Sequence, residues 1–94
     1  MDGPSPSNDD RAADRAAEQA VAFGTARELI SAVIAAYSGR VSAAASAQET
    51  ERLLVEQRTY VTERRDLTPG DDEVVARILR DYPGLLSRLR DAAQ

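Results

Sequence analysis

Apolar side chains recur at helical spacing along most of this chain, and that spacing constrains the fold more than any other feature of the sequence. In the first half they lie three or four residues apart, which places them on one face of a helix. The members of this series are Ala13, Ala16, Ala20, Phe23, Ala26, Ile30, Val33 and Tyr37. The series predicts a first helix over residues 9–37.

Two columns of apolar residues with seven-residue spacing indicate a second helix, predicted over residues 41–66. One column is Leu53, Tyr60 and Leu67, and the neighbouring column is Ala47, Leu54 and Val61. Adjacent heptad columns are typical of a coiled-coil-like seam. Thr50 and Gln57 lie between the columns, where polar side chains either fix the register and oligomeric state or merely flank the interface.

The connection between these helices is predicted at residues 38–40. Gly39 follows a periodic run, and glycine in that position is a common signal for a helix end. Residues 40–47 also have high helix propensity, so one continuous helix over residues 9–66 is the alternative. A lone compact domain disfavours that length, and we therefore predict a turn.

Proline and glycine divide the remainder of the chain. Thr68 can cap a helix that has Pro69 at its first position, where the missing N–H is tolerated. This third helix is predicted over residues 69–81. Pro83 then interrupts the pattern and begins a fourth helix, predicted over residues 83–91.

Residues 1–8 are rich in proline, serine and other turn-forming residues, and this composition predicts a disordered tail. We therefore expect a single helical domain over residues 9–92. The predicted fold class is all-α, a long antiparallel helical hairpin followed by two short helices.

The composition excludes several chemistries. Cysteine and histidine are absent, which removes thiolate chemistry, the commonest general base and the commonest transition-metal ligand. We expect no cofactor and no metal. The net charge of −4 argues against a nonspecific nucleic-acid binder, which needs a basic face. We find neither a signal peptide nor an apolar run of ~20 residues, so we expect a cytoplasmic protein without a membrane segment.

One alternative function is DNA binding. Residues 71–90 would form a helix-turn-helix, with Arg80, Arg88 and Arg90 available for phosphates or bases. Neighbouring acidic residues cancel much of that charge. A helical pair that packs on the long helices is the favoured interpretation, and we expect no nucleic-acid partner.

A second alternative is catalysis. Small all-helical enzymes of the chorismate mutase type use positioned cations rather than acid–base groups, and four arginines offer such cations: Arg11, Arg27, Arg40 and Arg52. That family's lysine is missing here, and Glu51-Arg52 reverses its usual Arg-Glu order. Solvated arginines at helical spacing are the favoured interpretation, so we expect no enzyme.

A third alternative is export. Tyr37-Ser38-Gly39 lies between the two predicted long helices of a short chain. This arrangement resembles the WXG-type hairpins that type VII systems export, with tyrosine in place of tryptophan. The resemblance implies a partner hairpin of different sequence. No tyrosine here is followed four residues later by an acid, and the second helix ends early, at residues 68–70.

We expect the chain to be a non-catalytic interaction module that forms a homodimer, such as a small bacterial regulator, adaptor or accessory subunit. Each predicted hairpin has a thin apolar seam, and two copies would bury more area in a four-helix-bundle-like core. The expected interface residues are Ile30, Val33, Tyr37, Leu53, Leu54, Gln57, Tyr60 and Val61. The C-terminal helices are expected to offer another protein a groove lined by Ile78, Leu79, Leu85, Leu86 and Leu89.

Overall fold

The computed structural model describes residues 8–92, and this part of the chain contains helices and no strands. The three helices are α1 (Asn8–Ala43), α2 (Ala47–Asp66) and α3 (Asp72–Ala92). The predicted all-α class is thereby confirmed. The predicted disordered tail lies outside the described residues apart from Asn8, which is the first residue of α1.

α2 runs antiparallel to the second half of α1. The side-chain amide of Gln57 donates to the backbone carbonyl of Ile34 at 2.9 Å. Further along α2, the guanidinium of Arg64 donates to the hydroxyl of Ser31 at 3.3 Å. Later residues of α2 therefore contact earlier residues of α1, as expected for antiparallel helices.

α3 also packs on α1, and the two helices run in the same direction. The first residue of α3, Asp72, accepts hydrogen bonds from the side-chain amide of Gln19, the shorter at 3.2 Å. The last residue, Ala92, lies in one depression with Arg40 and Ala43 near the end of α1. α1 is therefore the central helix, with both other helices packed against it.

The core is a narrow column of apolar side chains. Its members are Ala26, Ile30, Val33 and Tyr37 of α1, Leu53 of α2, Leu67 at the end of α2, and Val75, Ile78, Tyr82, Leu86 and Leu89 of α3. Residues 9–21 of α1 are all exposed and extend beyond this column. The radius of gyration is accordingly 18.4 Å, against about 12 Å for a compact chain of this length.

The turn between α1 and α2 lies at residues 44–46 and not at residues 38–40 as predicted. Its position is fixed by hydrogen bonds at the start of α2. The hydroxyl of Ser46 accepts from the backbone N–H of Glu49 at 3.1 Å, and the Glu49 carboxylate accepts from the N–H of Ala45 at 3.3 Å. Such a reciprocal serine–glutamate cap satisfies backbone donors that have no partner inside a helix.

α3 is one helix with Pro83 inside it, so the prediction of two short helices over residues 69–81 and 83–91 is wrong. Pro83 cannot donate to the carbonyl of Leu79, and an internal proline costs about 3 kcal/mol. The side chains that face α1 lie on both sides of the proline and outweigh that cost by their burial. They are Val75, Ile78, Tyr82, Leu86 and Leu89.

By length and composition alone, α1 is apolar enough to cross a membrane, with a mean hydropathy of 1.3 over an 18-residue window. The sequence-based expectation looked for an uninterrupted apolar run, whereas this mean is high because alanine, valine and isoleucine outweigh interspersed charged residues such as Arg27 and Glu28. Only 22% of that window is buried inside the fold. Helices of this composition occur in the cores of globular proteins as well as in membranes.

Replacement of Gly39 tests the position of the turn. Gly39 lies exposed inside α1, and an added Cβ would meet no atom within 4 Å. We expect Gly39→Ala to raise the free energy of unfolding by about 0.5–1 kcal/mol, because alanine loses less backbone entropy in a helix.

The matched variant is Ser46→Ala, which removes the cap of α2 and should lower the free energy of unfolding by about 1 kcal/mol. Urea denaturation followed by far-ultraviolet circular dichroism measures both variants. If Gly39→Ala lowers the free energy of unfolding and Ser46→Ala leaves it unchanged, the turn lies at residues 38–40 as the sequence predicted, and not at residues 44–46.

Candidate interaction surface

The two heptad columns of α2 differ in their exposure to solvent. In the first column Leu53 is fully buried, Leu67 is buried and Tyr60 is half-buried against the core. In the second column Leu54 is 38% exposed and Val61 is 41% exposed. Successive helical residues are rotated by about 100°, and the structure turns the first column, not the second, towards α1.

The second column belongs to a shallow apolar surface that we call the outer face of α2. We define it as Ala47, Thr50, Glu51, Leu54, Val55, Arg58 and Val61; the first six line one depression, and Val61 continues the column. Val55, on the same surface, is 55% exposed. The outer face thus carries three of the four large apolar side chains that are exposed among the described residues.

Two opposite charges lie on the outer face without a partner. Glu51 and Arg58 form no hydrogen bond or ion pair within the described part of the chain. The other charged side chains of α2 all do so, in contacts that involve Glu49, Arg52, Glu56, Glu63, Arg64, Arg65 and Asp66. The outer face therefore carries one acid and one base that have no partner among the described residues.

The expected interface residues divide between the core and the outer face. The structure buries Ile30, Val33, Tyr37 and Leu53 inside one chain and half-buries Tyr60. Gln57 binds α1, with its amide donating to Ser38 as well as Ile34. Of the expected set, only Leu54 and Val61 are exposed.

The expected partner groove of α3 is occupied by the chain itself. Its five apolar side chains face the core, three of them buried and two partly buried. The buried ones are Ile78, Leu86 and Leu89, and the partly buried ones are Leu79 and Leu85. These residues anchor α3 to α1.

A cluster of three tyrosines links the helices. Tyr60 of α2 stacks on Tyr37 of α1, with ring centroids 5.5 Å apart. Tyr60 also meets Tyr82 of α3 edge-on, with ring centroids 5.7 Å apart. The hydroxyl of Tyr82 donates to Glu63, whose carboxylate also pairs with Arg77 at 2.7 Å.

The polar groups of this cluster satisfy each other. Burial, together with the neighbouring Tyr60 and Glu56, raises the pKa of Tyr37 to about 12. Burial and then the Glu63 carboxylate likewise raise the pKa of Tyr82. Such hydroxyls stay protonated and hold the helices in register, since each charged form would be poorly solvated. Sequence reasoning missed this cluster because the three tyrosines lie far apart in the chain.

The arginines considered for catalysis do not converge on one site. Arg11 and Arg40 lie on the same helix, about 43 Å apart along its axis. Arg52 pairs with Glu56 at 3.1 Å, and Arg27 lies over an aromatic ring of its own helix.

The helix-turn-helix considered for DNA binding would need a turn within residues 71–90, and α3 is unbroken there. Arg80, one of its expected base or phosphate contacts, pairs with Asp81 at 3.0 Å.

A second apolar groove lies between α1 and α3 near the exposed beginning of α1. It is lined by Ala17, Glu18, Val21, Ala22, Thr25 and Leu79. Val21 is 71% exposed but is the single large apolar side chain there that is open to solvent. This groove carries one acidic side chain and no basic one, so it has less to offer a charged partner than the outer face of α2.

Comparison of the chain with protein-family models, with curated proteins and with solved structures gave no match.

The tyrosine cluster predicts a loss of stability in alkali. An unfolded tyrosine loses its proton near pH 10, whereas Tyr37 in the folded chain keeps it to about pH 12. Between these values the unfolded chain binds fewer protons, so the free energy of unfolding should fall as the pH rises. Neither lysine nor cysteine is present to titrate in the same range.

Urea denaturation at a series of pH values measures this dependence. The slope of the free energy of unfolding against pH gives the number of protons lost on unfolding. The Tyr37→Phe variant should lower that number by about one, and Tyr82 accounts for the remainder. A free energy of unfolding that stays constant over this pH range would contradict the buried, protonated state of these hydroxyls.

Proposed function

We propose that this chain is a non-catalytic protein-association module, an adaptor or accessory subunit that forms a homodimer through the outer face of α2. In this proposal α2 of one copy packs against α2 of the other. The heptad column that a single chain leaves exposed then becomes a second seam, and the helices around the two seams form a bundle.

The observation that carries the proposal is the concentration of exposed apolar side chains on the outer face. Leu54, Val55 and Val61 lie within two turns of one another, while the other large apolar side chains of α2 face the core. Scattered apolar residues are normal on a surface, but contiguous ones rimmed by polar residues mark interaction sites. Burial of apolar area is the main favourable term in such associations.

The chemistry of the rest of the surface supports an association role over catalysis. The described residues include no group of three or more side chains that could hold a metal ion. The tyrosines with raised pKa values lie in the core beside partners that satisfy them. An active site instead needs a cleft in which perturbed groups face a substrate.

A charge on the outer face should abolish the dimer. Leu54→Asp buries a carboxylate in the proposed seam, which costs several kcal/mol unless the dimer dissociates. We expect wild-type chain to change from monomer to dimer with concentration, and Leu54→Asp to remain a folded monomer. Sedimentation or light scattering gives the mass, and circular dichroism gives the helix content.

The matched control is Val21→Asp, which places the same charge on an exposed valine outside the outer face. It should dimerise like the wild type. A wild type that stays monomeric at about 1 mM, where weak interfaces become populated, would overturn the proposal. If the dimer persists in Leu54→Asp and is lost in Val21→Asp, the interface is the groove between α1 and α3 and not the outer face.

A further inference from the structure

We infer that the partner of the outer face is a second copy bound antiparallel, with a two-fold axis between Leu54 and Val55. In this arrangement Glu51 of each copy pairs with Arg58 of the other. The inference rests on the proposed function and adds the orientation and register of the two α2 helices.

Within residues 8–92, the two charges on the outer face are the only charged side chains of α2 that form neither a hydrogen bond nor an ion pair. Each of the others has a hydrogen bond or ion pair, as with Arg52 and Glu56 at 3.1 Å or Glu63 and Arg77 at 2.7 Å. The remaining pair, Glu51 and Arg58, consists of one acid and one base on the same surface. A surface with one charge of each sign is able to complement itself.

The positions of the charges fix where the symmetry axis lies. Glu51 and Arg58 are separated by two helical turns, or about 10.5 Å along the axis. Their midpoint falls between Leu54 and Val55, which are the apolar side chains at the centre of the outer face. A two-fold axis there places apolar side chains against each other and an ion pair on either side of them.

An isologous interface brings the same surface of two copies together and needs this kind of self-complementarity. A parallel pairing of the same surfaces would instead place Glu51 opposite Glu51 and Arg58 opposite Arg58. Like charges that face each other in adjacent helices are destabilising. The charge pattern therefore favours the antiparallel dimer over the parallel one.

The size of the surface indicates a reversible dimer. α2 has 20 residues and is about 30 Å long, and one helix face of that length lies at the small end of specific interfaces. We expect a dissociation constant in the micromolar range, on the order of 10 μM. The charge pairs then set the orientation, while Leu54 and Val55 contribute most of the buried apolar area.

Charge reversal tests the pairing. Glu51→Arg places arginine against Arg58 at both symmetric positions, so we expect the dissociation constant to rise about tenfold or more. Arg58→Glu should have the same effect. The double variant Glu51→Arg/Arg58→Glu restores opposite charges across the axis and should bind within about threefold of the wild type.

Matched controls separate this effect from a change in net charge. Glu28 and Arg15 are exposed on α1, outside the outer face. Glu28→Arg and Arg15→Glu change the net charge as the single reversals do, and they should leave the dissociation constant unchanged. Circular dichroism should show unchanged helix content in every variant. In a parallel dimer, Glu51→Arg would exchange one repulsion for another and would also leave the affinity unchanged.

Disulfide crosslinking tests the orientation directly, because the chain has no cysteine of its own. Ala47 and Thr62 are both exposed and are placed symmetrically about the proposed axis. A mixture of Ala47→Cys and Thr62→Cys chains should form the mixed disulfide on oxidation. Neither variant alone should crosslink, since in the antiparallel dimer its two copies are about 22 Å apart along the axis.

The outcomes distinguish the inference from the proposed function. A Leu54-dependent dimer in which Ala47→Cys crosslinks to itself is parallel and overturns the inference alone. A Leu54-dependent dimer that is insensitive to the charge reversals also overturns it. A chain that stays monomeric at about 1 mM overturns the inference and the proposed function together.

Discussion

The fold depends on one apolar stripe of α1, which α2 and α3 share. Ala26, Ile30, Val33 and Tyr37 occupy successive turns of α1 and are all buried. Both other helices pack on α1, whereas α2 and α3 meet through side chains, chiefly Tyr60 and Glu63 with residues of α3. Since a stripe of small and medium side chains buries limited area, its sharing by two helices is what makes a stable core possible in a chain of 94 residues.

The same constraint explains what stays outside the core. α2 meets α1 along one side only, so burial of the column that contains Leu53 leaves the column that contains Leu54 in solvent. The other charged side chains of α2 form hydrogen bonds or ion pairs with described residues, whereas Glu51 and Arg58, on either side of Leu54 and Val55, form none. Apolar side chains at the centre of a surface and polar ones around them are typical of protein interfaces, and for this reason we propose the outer face as the dimer interface.

The sequence predicted the elements of the fold better than their boundaries. Helical spacing identified the stripe of α1, and the heptad columns identified α2 through its last residue. The turn was misplaced because Gly39 was weighed as a helix end while the Ser46–Glu49 cap, also visible in the sequence, was overlooked. The neighbouring sequence could not show whether a helix ends at Pro83, because burial of residues on both sides of the proline against α1 decides whether the helix continues. Which column of α2 faces inward likewise depends on long-range packing, here the packing of α2 on α1.

The most direct test is an isotope-filtered NOE measurement on an equal mixture of isotope-labelled and unlabelled chains, at a concentration where the dimer is populated. The account predicts that intermolecular contacts join the methyl groups of Leu54 and Val55, and that Ile30 and Leu53 show contacts within their own chain only. Intermolecular contacts from Ile30 or Leu53 would contradict it, because they would mean that two copies build the core together.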